Sequence, residues 1–155
     1  MTDSQTLTIL LGQNERQRDA ATSAHQRAQA ASQAAQAQAE QLRAYRREYE
    51  QRWSAQFCRD GKMELVHCYQ SFVERLSLAV EQQTRIAEHA AQQVEQALGS
   101  LHAAELRCAS VKKLIERRVA EHRQSAERRD QKQTDEAATR AAWNRPASTR
   151  PAPLM

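Results

Sequence analysis

The sequence predicts an all-α chain, two long helices folded back on each other as an antiparallel coiled-coil hairpin. Three observations predict it. A seven-residue apolar repeat runs unbroken from Val66 to Ile115, and a single convincing turn, Arg59-Asp60-Gly61, divides the first 140 residues. When the chain is folded at that turn, the small and large positions of its two halves fall opposite each other.

The repeat in the second half is the clearest element. Steps alternating between three and four residues meet Val66, Tyr69, Val73, Leu76, Val80, Gln83, Ala87, Ala90, Val94, Ala97, Leu101, Ala104, Cys108, Val111 and Ile115, and only Gln83 is polar. A register held this long, without proline, marks a helix that buries a narrow seam against another helix. A helix of a globular core would show a wider stripe and stop after about ten to twenty residues.

Residues 1–5 carry no pattern and are expected to be flexible, with Asp3 or Ser4 suited to cap a helix starting near Thr6. Helix one is expected over 6–58. Leu7, Leu10 and Leu11 begin its apolar edge, and Gly12 weakens it by about 1 kcal/mol. Its heptad stripe reads Ala21, Ala24, Ala28, Ala31, Ala35, Gln38, Leu42, Tyr45 and Tyr49. Alanine buries little area but lets two backbones approach closely.

The turn is expected at 59–62, with glycine supplying a left-handed residue past the helix end. Facing residues then have numbers summing to about 122: Leu42 meets Val80, Tyr49 meets Val73, and Ala28 to Ala35 meet Ala87 to Val94. Helix two is expected over 63–143, roughly 120 Å at 1.5 Å per residue. It outruns helix one near position 118 and continues as a polar overhang. The segment 144–155, with Pro146, Pro151 and Pro153, is expected to be a disordered tail.

Composition limits the function. The net charge is +4 with pI near 9.2 over 155 residues, but the two signs are interleaved, which describes a solvated helix surface and not a nucleic-acid footprint. No run is long and apolar enough for a membrane span, and no signal peptide is evident. Cys58, Cys68 and Cys108 form no paired motif and read as reduced thiols of a cytoplasmic protein.

No catalytic constellation is present, and the chain is expected not to be an enzyme. His25, His67, His89, His102 and His122 lie on different turns, outside any ligand-spaced pair. Cys58, His67 and Cys68 near the turn make an incomplete metal set, better read as half-buried polar residues. No cofactor is implied, and no glycine-rich phosphate loop occurs.

Surplus apolar surface near the turn is the one feature that points to a site. Beside its seam, helix two carries Leu65, Phe72, Leu78 and Ala79, and helix one carries Gln38, Leu42, Tyr45 and Tyr49 with Trp53 on a neighbouring register. Two adjacent stripes cannot both face a single partner helix. Exposed aromatics on a coiled coil are typical anchors for another protein.

Three separated pieces carry a family resemblance. The first is Leu42-Arg43-Ala44-Tyr45-Arg46-Arg47-Glu48-Tyr49-Glu50-Gln51-Arg52; the second is Tyr69-Gln70-Ser71-Phe72 with Leu76 and Gln82-Gln83; the third is Arg128-Arg129-Asp130-Gln131-Lys132-Gln133-Thr134-Asp135-Glu136 with Arg140. Together, over roughly residues 7–143, they resemble the flagellar type III export protein FliJ family, whose injectisome counterpart is the YscO-type protein. The resemblance implies two long antiparallel helices similar to the central stalk of rotary ATPases. It implies a cytosolic component, peripheral to the inner membrane through its partners. Those partners would be the export ATPase hexamer, the cytosolic domain of the export gate protein FlhA and flagellar substrate chaperones. The positions that fit the family's gate-binding face are Gln38, Leu42, Tyr45, Tyr49, Phe72, Leu76, Ala79 and Gln83. For the ATPase, charge alone points to Arg117, Arg118, Arg128, Arg129 and Lys132. Competing readings are a scaffold coiled coil forming a parallel homodimer, an injectisome homologue, and a basic amphipathic membrane binder, for which the seam is too narrow.

Overall fold

The computed structural model describes residues 2–59 and 61–146. Asp60 of the expected turn, and the expected tail beyond Pro146, lie outside the described residues. Two helices make up the fold, α1 over Thr2–Phe57 and α2 over Met63–Trp143. The fold is an all-α helical hairpin.

Helix α1 starts at Thr2 instead of near Thr6, so residues 2–5 are helical. Asp3 in the first turn complements the positive end of the helix, and the Thr8 hydroxyl donates to the Ser4 carbonyl at 2.9 Å. At its other end α1 closes by tightening: the Arg59 amide donates to the Gln56 carbonyl at 3.0 Å, three residues back. The left-handed glycine expected in the turn is not there, because no described glycine has positive φ. Gly61 stands four residues past Phe57, beyond the position where a left-handed residue would satisfy the last carbonyls. Helix α2 has Glu64 in its first turn and Arg140 in its last, both favourable to the helix dipole.

The chain divides into two units, Gly12–Cys108, and Met1–Leu11 together with Ala109–Met155. In the first, α1 and α2 run antiparallel in the expected register. The Tyr49 ring lies 4.4 Å from Phe72 and 5.9 Å from Tyr69, and Trp53 lies 5.9 Å from Tyr69. The Gln83 amide donates to the Ala35 carbonyl at 3.4 Å and to Gln38 Oε1 at 3.1 Å. The Arg43 guanidinium donates to Thr84 Oγ1 at 2.9 Å. These pairs have numbers summing to between 118 and 127, around the 122 that a fold at Gly61 requires. The helix that covers the α2 seam comes from the same chain.

Every position of the α2 seam from Val66 to Cys108 is buried or half-buried, with Leu76, Val80, Ala104 and Cys108 the deepest. On α1 the expected stripe holds in part. Ala21, Ala24, Ala28, Ala35, Leu42 and Tyr49 are covered, but Ala31, Gln38 and Tyr45 are exposed, and Tyr45 retains 48% of its surface. From residue 32 onward the alternate seam positions are instead Ser32, Ala39 and Arg46, one residue further along, while Ala24 and His25 are both half-buried; Ser32 and Ala39 are buried. The cause is compositional. Between residues 20 and 39 ten residues are alanine, so an apolar side chain falls on nearly every face and periodicity alone does not choose one.

In the second unit Leu7 and Leu11 of α1 are half-buried, as is Ile115 of α2, while Val111 is buried. From Glu116 to Pro146 every residue is exposed, including Val119 and Trp143. Helix α2 nevertheless continues to Trp143, with alternating charges in place of a seam.

A cysteine pair at positions 35 and 87, in a variant lacking Cys58, Cys68 and Cys108, is expected to oxidise within one chain. The product would run at monomer mass on a non-reducing gel. A dimer-mass product would overturn the intrachain pairing.

Candidate docking face beside the turn

Aromatic residues concentrate where the two helices meet the turn. Both Phe, all three Tyr and one of the two Trp join a single ring network there. Tyr49 is its centre, lying against Tyr45 at 6.3 Å, Trp53 at 5.7 Å, Tyr69 and Phe72. Trp53 passes the network to Phe57 at 5.5 Å, and Phe57 meets Tyr69 edge-on at 5.2 Å. Such tilted and offset pairs contribute about 0.5–1.5 kcal/mol each beyond their buried area. Burial pushes the Tyr69 hydroxyl above the ordinary tyrosine range, with smaller contributions from Glu50 and Tyr49.

The gate-binding positions expected from the sequence divide by exposure. Leu76 is buried in the seam, and Leu42, Tyr49, Ala79 and Gln83 are half-buried at its edge. Gln38, Tyr45 and Phe72 reach solvent. The Tyr49–Phe72 ring contact and the Gln83–Gln38 hydrogen bond bring the α1 and α2 members together on one side of the hairpin. The corrected α1 register explains why. In an antiparallel pair the positions on one flank of the seam face each other. One flank carries Ala31, Gln38 and Tyr45 of α1 beside Phe72 and Ala79 of α2. The opposite flank carries Arg43 and Thr84, joined by their hydrogen bond. One flank is thus apolar and aromatic, the other polar.

Charge borders both flanks: Arg52, seven residues after Tyr45, closes the turn end of the apolar row, and Glu40 lies beside Arg43 on the polar side. Glu48 pairs with Arg52 at 2.7 Å, and Glu40 pairs with Arg47 at 3.0 Å. Further along α1, the Arg18 guanidinium is raised above its ordinary range, chiefly by its hydrogen bond to Asp19, with a smaller influence from Cys108 across the seam.

The five cations assigned to the ATPase, Arg117, Arg118, Arg128, Arg129 and Lys132, are all exposed on the unpaired length of α2. Eleven residues make three helical turns, so Arg117 lines up with Arg128 and Arg118 with Arg129, in two rows about 100° apart around the helix. Near the turn, Cys58, His67 and Cys68 are exposed, and among the described residues no group of three or more His, Cys, Asp or Glu is placed to hold a metal. Phe57 was not anticipated in the network. Its signal was its place four residues after Trp53, one turn along the same face.

No curated protein and no solved structure matches the chain. The model of the family described as "Flagellar FliJ protein" matches residues 3–147, nearly the whole of the paired and unpaired helices. The chain belongs to the flagellar FliJ protein family.

Proposed function

We propose that this chain is a stalk-like coiled coil that binds the flagellar export ATPase ring, promotes its assembly and activity, and couples it to the export gate and to substrate chaperones. Family membership supports a role in flagellar export. The observation that carries the finer reading is the one-sided flank, on which Tyr45 and Phe72 stand exposed beside Gln38 and Ala79 while the seam itself is filled. An antiparallel helix pair does not need aromatic side chains outside its seam, and wet aromatics are favoured where another protein covers them.

The division of labour follows from the two units. The flank beside the turn receives the cytosolic domain of the gate protein FlhA. The unpaired length of α2, with its two rows of arginine, offers cations to carboxylates of the ATPase. The chain itself catalyses nothing in this reading; it acts by binding. No described helix is long and apolar enough to cross a membrane, and placement at the inner membrane would come through the partners.

Purified chain is expected to stimulate ATP hydrolysis by the cognate export ATPase. Combining Tyr45→Ala with Phe72→Ala should weaken binding to the FlhA cytosolic domain by roughly tenfold or more, about 1.4 kcal/mol, while circular dichroism keeps its helical signal. Unchanged gate affinity in that variant rejects the face, and absent stimulation rejects the ATPase role.

A further inference from the structure

Ile86 is 54% exposed, a large aliphatic side chain on a stretch of the hairpin lined mainly by alanine and glutamine. It stands fourteen residues after Phe72 and seven after Ala79, so these three share one flank of α2. Level with it across the seam are Ala31 and Gln38 of α1, both exposed, followed toward the turn by Tyr45. None of these six side chains is charged, in a chain whose charged residues make up 27%. The gate-binding positions drawn from the family pattern stop at Gln83, short of Ile86.

We infer that the docking face continues through Ile86 and that its occupant is an amphipathic helix of the partner, lying alongside α2 as a third strand. Phe72, Ala79 and Ile86 form a large–small–large series, with the two large side chains about 21 Å apart along the helix. A helix with apolar side chains at seven-residue spacing fits that series, and alanine between the large residues lets its backbone approach to about 8 Å. The scarcity of charge disfavours the other occupants. An anionic membrane or an acidic peptide would find one cation in the α1 row, Arg52 at its turn end, already paired with Glu48. Strand addition is closed as well, because both elements are helices whose backbone groups are already paired.

The inference rests on the gate-binding reading above, and its test separates the two. A photo-crosslinking amino acid is placed at positions 72, 79 or 86 of the full chain, which is then mixed with the purified cytosolic domain of FlhA. Crosslinks from 72 and 86 are expected in a single helical segment of the partner, about fourteen residues apart. Ile86→Glu is expected to weaken binding about tenfold without changing the melting curve. If position 72 crosslinks and 86 does not, and Ile86→Glu binds like the parent, the extension is wrong while gate binding stands. Crosslinks from 72 and 86 to separate regions of the partner, or from 86 to a second copy of this chain, overturn the third-strand occupant. If Ile86→Glu and the Tyr45→Ala, Phe72→Ala variant all bind like the parent, both readings fail.

Discussion

Tyr49→Ala is expected to lower the melting midpoint of the hairpin by roughly 5–10 °C, the largest loss of any single aromatic truncation. Its ring lies against Tyr45, Trp53, Tyr69 and Phe72, and it is the member through which Tyr45 and Phe72 join the network. Removing it opens a void beneath both exposed anchors, and the surrounding rings cannot close it without leaving their own contacts. A fully enclosed aromatic truncated to alanine costs about 3–5 kcal/mol; a half-buried one such as Tyr49 should cost about 2–3. Tyr45 provides the contrast. It is 48% exposed and touches the network only through Tyr49, so Tyr45→Ala should cost under about 1 kcal/mol. Tyr49→Phe keeps the ring and should melt near the parent. Thermal melts followed by circular dichroism check all three. A Tyr49→Ala midpoint within a degree or two of the parent would mean that the ring network does not hold the turn end together. The same variant should also weaken gate binding, because it releases Tyr45 and Phe72 from their orientation, whereas Tyr45→Ala should weaken binding alone.

The sequence made some of this architecture plain and left other parts open, for identifiable reasons. The α2 seam was legible position by position because valine and leucine alternate with polar residues, so only one register buries them. The pairing of Tyr49 with Tyr69 and Phe72 was legible from arithmetic about Gly61, since a hairpin allows no other reference point. The α1 register was not legible. Between Ala20 and Ala39 the choice of face falls to the fit against α2, which places Ser32 and Ala39 inward and leaves Ala31 outside. Hydropathy would never prefer Ser32 and Arg46 to Ala31 and Tyr45. The docking face was half legible for the same reason. Tyr45 and Gln38 fit both the seam spacing and the surplus stripe, and only the packed register assigns them to the flank. Ile86 gives no signal in the sequence because a lone isoleucine among alanine and glutamine breaks no pattern. It acquires meaning once Phe72 and Ala79 are known to share its side.

That register makes a sharp prediction about two alanines eight residues apart. Ala39 is 1% exposed, the most enclosed residue of the core, whereas Ala31 is exposed on the flank. Leucine at position 39 adds three carbons at an enclosed position between the two helices. The Gln83 amide reaches both the Ala35 carbonyl and Gln38 within a turn of Ala39, so helices forced apart there would also lose those hydrogen bonds. Overpacking typically costs about 1–3 kcal/mol, and the lost cross-helix bonds put Ala39→Leu at the upper end, a fall of roughly 5–10 °C. Ala31→Leu points its extra carbons into solvent and should stay within about 0.5 kcal/mol of the parent. Denaturant or thermal melts of the two variants measure the difference directly. The reverse order, with Ala31→Leu destabilising and Ala39→Leu neutral, would restore the stripe read from hydropathy and move Tyr45 and Gln38 back into the seam. Ala31→Leu carries a second expectation, since its longer side chain crowds the strip between Gln38 and Ile86. It should reduce affinity for a helix lying there while leaving the hairpin intact, which separates the stability of the seam from the use of its flank.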